Sequence, residues 1–239
     1  MLADDVAAAV ASAGSEPAGI VALIGRLNTW QRFLKRHGGG VLGERERIGL
    51  FAELTTLRDL LADGLSAGDA VDAWRGPWGG AQDFRLATCS VEVKATASVN
   101  STSFEVANLA QLDERLLPCL MVRYIALSRP NGRGETLPEL VDAVAAAVTA
   151  TDPAASLRFA DSLLEVGYLD AHRPEYEEER FAVFSDRLFR VQGGFPRILA
   201  DDVRPGVSAC SYTVQLSACL PFLIDGKNAR HIFYGEHDE

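Results

Sequence analysis

The stretch Asp83-Phe84-Arg85-Leu86-Ala87-Thr88-Cys89-Ser90-Val91-Glu92-Val93-Lys94-Ala95-Thr96 decides the reading of this chain. It holds two strand-forming runs, 82–88 and 90–96, rich in β-branched and apolar residues. Side chains alternate across a strand, so Glu92 and Lys94 project from one face while Val93 enters the core. An Asp near the end of one strand and a Glu on its neighbour can both reach one Mg²⁺, which takes hard oxygen ligands and keeps several waters. Lys94 then sits beside one of those waters, and the backbone carbonyl of Val93 is a candidate extra ligand. The competing reading of Glu92 and Lys94 is an exposed strand face carrying a cross-strand ion pair.

Upstream, Ile48, Leu50, Phe51, Leu54, Leu57, Leu60 and Leu61 recur at helical intervals and predict a helix over 44–62, with Gly64 as its cap. Glu53 falls on the polar side of that helix, where it either approaches the carboxylate site or stays solvated near Arg58. A turn follows at Arg75-Gly76-Pro77-Trp78-Gly79-Gly80. Trp74, Pro77 and Trp78 are expected to pack the entry to the sheet rather than to stack on bases. At the N-terminus, helices are predicted over 4–13 and 19–37, the second placing Ile20, Leu23, Ile24, Leu27 and Trp30 on one side. Arg26, Arg32, Lys35 and Arg36 on it read as a solvated face or a basic stripe for a phosphate backbone.

Downstream, strands are predicted over 103–106 and 119–128, the latter apolar enough to be central. Helices over 137–149 and 153–166 and strands over 179–192 and 208–218 complete the chain. The order gives an α/β (α+β-like) class, a central mixed β-sheet flanked by helices, with a helical segment over 1–40 ahead of a main domain over 41–239. No internal repeat is present.

Composition narrows the function. A net charge of −10 disfavours a protein that coats nucleic acid, since phosphate binding draws on surplus Lys and Arg. It leaves room for an enzyme whose carboxylates gather around a metal. No apolar run reaches the roughly 18 residues of a membrane span, and no signal peptide is visible, so a soluble cytoplasmic protein is expected. Cys89, Cys119, Cys210 and Cys219 form no C-x-x-C pair and read as buried free thiols. His37-Gly38-Gly39-Gly40 lacks the G-x-S-x-G partner of an esterase, and His231 with His237 is a poor metal candidate.

Hydrolysing a phosphodiester requires an activated water and neutralisation of developing charge, which a metal and a lysine supply together. In order, Gly49-Leu50-Phe51-Ala52-Glu53-Leu54, Trp74-Arg75-Gly76-Pro77, Asp83-Phe84, Val91-Glu92-Val93-Lys94-Ala95-Thr96 and Ala110-Gln111-Leu112-Asp113 resemble the motifs of a family of bacterial PD-(D/E)xK motif proteins. The resemblance covers residues 45–125, and more loosely Phe195-Pro196-Arg197-Ile198 and Pro205-Gly206-Val207. It implies a restriction-endonuclease-like core and a Mg²⁺-dependent DNA endonuclease, Mn²⁺ substituting, in a restriction or phage-defence setting. It also implies that Asp83, Glu92 and Lys94 match the signature residues. Glu53, from its place on the helix, is a candidate catalytic assistant that either binds the metal directly or holds a metal-bound water. Gln111 and Arg123 are candidates for DNA contact or site support, Gln111 alternatively being a buried amide bonded to backbone.

Cutting both strands draws on two active sites, so a homodimer is expected on symmetry grounds. The chain has no Walker A sequence, so ATP-driven steps fall to a partner, an ATPase, helicase or methyltransferase of a defence system. The alternatives are a noncatalytic DNA-binding or assembly subunit with the same fold, and an unrelated α+β domain whose strand charges are coincidental.

Overall fold

The structure, a computed structural model, describes residues 2–11, 13–98 and 100–225; His231 and His237 lie outside the described residues. Helices α1 (Leu2–Ala11) and α2 (Glu16–His37) lead into α3 (Glu44–Ala62) and the short α4 (Ala67–Ala73). Strands β1 (Phe84–Arg85), β2 (Ser90–Thr96), β3 (Ser103–Val106), β4 (Leu120–Ser128) and β5 (Glu135–Thr136) follow. Then come α5 (Leu137–Thr151), α6 (Pro153–Glu165), β6 (Arg180–Val191), β7 (Tyr212–Gln215), α7 (Leu216–Cys219) and β8 (Leu223–Ile224). The starts of α5 and α6 are set locally. Thr136 and Glu139 form a capping box, Asp152 accepts the N–H groups of Ala154 and Ala155, and a proline stands in each first turn.

The main sheet runs β1-β2-β4-β6-β5, with β8 also pairing β6. β2 and β4 are parallel from Ser90↔Leu120 to Thr96↔Ala126, and the other pairs are antiparallel. β4 is apolar apart from Arg123 and Ser128 because both its faces are covered. Ile125 and Leu127 join a core with Phe51, Leu54 and Leu57 of α3 and Leu140 and Val144 of α5. Val122 and Tyr124 face a second core with Phe104, Phe189, Phe195 and Val214, roofed by the separate β3–β7 ribbon. The result is a curled mixed sheet of parallel and antiparallel strands flanked by helices, the arrangement of a restriction-endonuclease-like fold.

Several expectations change. The run 82–88 contributes only Phe84–Arg85 to the sheet, because the chain turns back at once with Leu86 N donating to Cys89 O. The run 208–218 splits into β7 and α7. α3 has little polar side: Leu50, Phe51, Ala52, Leu54, Thr55, Thr56 and Leu57 are all buried, so Glu53 emerges from a largely buried helix. On α2 the stripe Ile20, Leu23, Ile24 and Leu27 is exposed, while Trp30 and Phe33 pack against Leu164 and Leu169. Of its basic residues, Arg26 is drawn in against Asp5 and Asp161, while Lys35 is exposed and Arg32 and Arg36 stay about half exposed, both pairing with the buried Glu165, so this face is solvated but its arginines are ion-paired. These bonds fix which side of α2 docks. Among the described residues no helix is long and apolar enough to cross a membrane.

Candidate active site

Glu92 and Lys94 rise from the face of β2 that they share with Ser90, and Val93 packs toward the α3 core. Because β1 is only two residues long, β2 beyond Val91 has a bare edge on that side. Asp83 fills it. Its Oδ2 accepts the backbone N–H of Val93 at 2.7 Å, in the place of the next rung of the ladder. The Asp83 carbonyl accepts the N–H groups of Arg75 (2.7 Å) and Gly76 (3.0 Å), so backbone bonds hold this residue on two sides.

α3 brings Glu53 to the same edge, where the indole N–H of Trp74 donates to Glu53 Oε2 at 2.7 Å. Arg58 is elsewhere, paired with Glu135. Gly76 lies against both acids: a Cβ there would stand 2.8 Å from Glu53 Oε2 and 3.1 Å from Asp83 Oδ1. Lys94 Nζ donates to Glu92 Oε1 at 2.8 Å and to Gln111 Oε1 at 3.1 Å. Gln111 Oε1 also accepts Ala107 N at 2.8 Å, so the amide links the lysine to the loop after β3. Gln111 therefore bonds to backbone and to Lys94 through the same oxygen.

The electrostatics follow from burial. Desolvation pushes Glu92 up to about 8, helped by the charge of Asp83 and opposed by Lys94. Asp83 rises to about 6 through burial, restrained by the Val93 N–H and then by Lys94. Glu53 is pushed well above the carboxylate range by burial and next by Asp83, against the Trp74 bond, with Glu92 adding to the rise. Mutual influence of this kind means that the three acids share one electrostatic neighbourhood.

Among the described residues no three His, Cys, Asp or Glu side chains are already drawn into an ion cage, Glu92 being turned toward Lys94. The residues nevertheless suit a hard divalent cation. All three acids offer oxygen, and Glu92 Oε2 is buried without any partner, a state native proteins rarely leave uncompensated. Once ionised, three carboxylates facing one ammonium would leave two negative charges, which one divalent cation would neutralise.

Arg123 is not brought to this site. It pairs in register with Val93, on the α3 side of the sheet, and its guanidinium is taken by Asp59 and Asp186. Nor is Arg129 free for DNA, being bound by Glu44 and Glu179. Trp74 and Pro77 are buried as expected, but Trp78 is 47% exposed, with its N–H on Ser162 Oγ and Arg32 over its ring. The sequence reading missed Trp74 as the donor that holds Glu53 and Gly76 as the space for two carboxylates. The nearest signal was the Trp74-Arg75-Gly76-Pro77 motif itself, since a buried indole seeks an acceptor for its N–H.

No curated relative and no solved structure matches the chain. The model of the family described as "Putative PD-(D/E)XK family member (DUF4420)" matches residues 1–217, and the chain belongs to that family.

Proposed function

We propose that this protein is a divalent-metal-dependent endodeoxyribonuclease, using Mg²⁺ with Mn²⁺ as a substitute, in bacterial restriction or phage defence. The observation that carries the reading is the gathering of Glu53, Asp83, Glu92 and Lys94 at the bare edge of β2, with one buried carboxylate oxygen, Glu92 Oε2, left without a partner. Bound there, the ion would supply Lewis acidity toward a phosphate oxygen and lower the pKa of a water.

Asp83, Glu92 and Glu53 would hold it, with the Val93 carbonyl as a further donor. Asp83 is fixed by the Val93 N–H, which leaves Oδ1 for this purpose, and Glu53 is oriented by Trp74. Lys94, steadied by Gln111, presents an ammonium that stabilises an attacking hydroxide and the charge developing on the phosphate oxygens. The attack breaks the P–O bond to the leaving strand, whose oxygen then takes a proton. A homodimer would supply the second centre for double-strand cutting, and an ATPase, helicase or methyltransferase is the proposed class of partner. The four free cysteines support a reducing compartment such as the cytoplasm.

Supercoiled plasmid incubated with the purified protein and Mg²⁺ or Mn²⁺ tests the reading. Nicking or linearisation that EDTA stops and that Asp83→Ala and Lys94→Ala each abolish, with folding retained, is expected. Cutting that survives either substitution would overturn the assignment. DNA binding without cutting, unaltered by Asp83→Ala, would select a noncatalytic subunit instead.

A further inference from the structure

Beside Lys94 the bare edge of β2 opens into a cleft of about 430 Å³. Its floor is β2 from Val93 to Thr96 with Ala97 just after it, one wall is the first half of α3, and the other is β3 with the residues just before it. Arg45, Gly49 and Glu53 recur every four residues and so line one stripe of α3, rising about 12 Å from Glu53 to Arg45. The stripe therefore leads from the carboxylate site along the cleft to its mouth. A Cβ built at Gly49 meets no atom within 4 Å, so the missing side chain leaves this passage clear.

At the mouth, Arg45 Nη2 reaches across from α3 to Glu105 Oε2 on β3 at 2.8 Å. The two side chains are 81% and 47% exposed. A pair so exposed is screened by water and adds little to stability, so little holds Arg45 to this partner when a better anion arrives. A phosphodiester is such an anion, because the guanidinium fork matches its oxygens.

We infer that this cleft seats the sugar–phosphate backbone of one DNA strand next to the bond presented to Lys94. Arg45 exchanges Glu105 for a phosphate, and Gly49 leaves room for the strand. Glu105 thereby sets a threshold against weakly held polyanions. The inference rests on the nuclease reading for the identity of the strand, but binding alone can test it.

The test compares the full chain with Gly49→Leu, Arg45→Ala and Glu105→Gln. Affinity for a fluorescein-labelled DNA duplex is measured by anisotropy in Ca²⁺ across a salt series, alongside plasmid cleavage in Mg²⁺ and thermal melting. Leu is a better helix former than Gly and the Cβ position at Gly49 is open, so Gly49→Leu keeps the fold while filling the cleft. It should lose affinity about tenfold or more. Arg45→Ala should weaken binding and reduce the salt slope by about 1, and Glu105→Gln should strengthen binding.

Gly49→Leu binding like the wild type would overturn the cleft, and so would weaker binding by Glu105→Gln. Wild-type cutting with unaffected variants would reject the cleft and keep the nuclease. Wild-type binding without cutting, with the variants shifted as stated, would keep the cleft and reject the chemistry. A wild type that binds no DNA would reject both.

Discussion

A methyl group on Gly76 would stand 2.8 Å from Oε2 of Glu53, closer than side-chain carbons approach one another's neighbours in folded proteins. Asp83 Oδ1 would be only 3.1 Å away. The backbone of Gly76 does not require glycine, since its φ is not positive, so the constraint is purely one of space for two carboxylates. Gly76→Ala should push Glu53 off the Trp74 indole and cost about 1–3 kcal/mol as an overpacked site. Calorimetry with and without Mg²⁺ checks it: the variant should melt lower and lose most of the metal-induced rise in Tm. A variant with the full metal response would show that the acids move aside freely.

The raised carboxylates predict the pH dependence of the metal-free protein. A carboxyl whose folded pKa exceeds its unfolded value contributes fully below the unfolded value, and that contribution is lost as pH rises through the folded one. For Asp83 the folded value is about 6 and for Glu92 about 8. Stability should therefore fall from about pH 4 to about pH 8, and Mg²⁺ should raise Tm more at the upper end. Glu92→Gln should flatten the decline and raise the metal-free Tm near pH 8.5 by roughly 4–8 °C, the shift for about 2 kcal/mol. A wild-type Tm that climbs across that range would contradict the burial argument.

Much of this architecture is legible in sequence for local reasons. β3, β4, α5 and α6 are bounded by β-branched runs, prolines and side-chain caps, all of which act within a few residues. The alternation that sets Glu92 and Lys94 apart from Val93 is likewise local. What is not legible depends on distant partners. Nothing near α2 reveals that Trp30 and Phe33, rather than Ile20, Leu23, Ile24 and Leu27, meet α6. The burial of Glu53 follows from the elements that surround α3, and β1 is short because Asp83 gives its carbonyl to Arg75 and Gly76.

Gln111 is expected to act on rate rather than on binding. Its Oε1 joins Lys94 Nζ to Ala107 N, so removing it frees the ammonium to turn wholly toward Glu92. Gln111→Ala should lower kcat by roughly tenfold, about 1.4 kcal/mol of lost orientation, with little change in DNA affinity. Single-turnover cleavage beside anisotropy separates the two quantities. Unchanged kcat with weakened binding would make Gln111 a DNA contact.

Arg123 gives the opposite expectation, a residue that matters for stability and not for DNA. Its side chain is 13% exposed and ties α3, through Asp59, to β6, through Asp186, across β4. Those two carboxylates are 46% and 39% exposed, so water screens them and can take them back when the arginine is removed. The loss in Arg123→Ala is then mainly the packing of a long stem and its bonds, about 1–2 kcal/mol, well below the cost of stranding a fully buried charge. That corresponds to a fall in Tm of roughly 2–8 °C. DNA affinity and its salt slope should stay at the wild-type values, because the guanidinium lies on the α3 side of the sheet, away from Glu92 and Lys94. A reduced salt slope in Arg123→Ala would place a phosphate on this residue and show that DNA contacts extend beyond the cleft at the edge of β2.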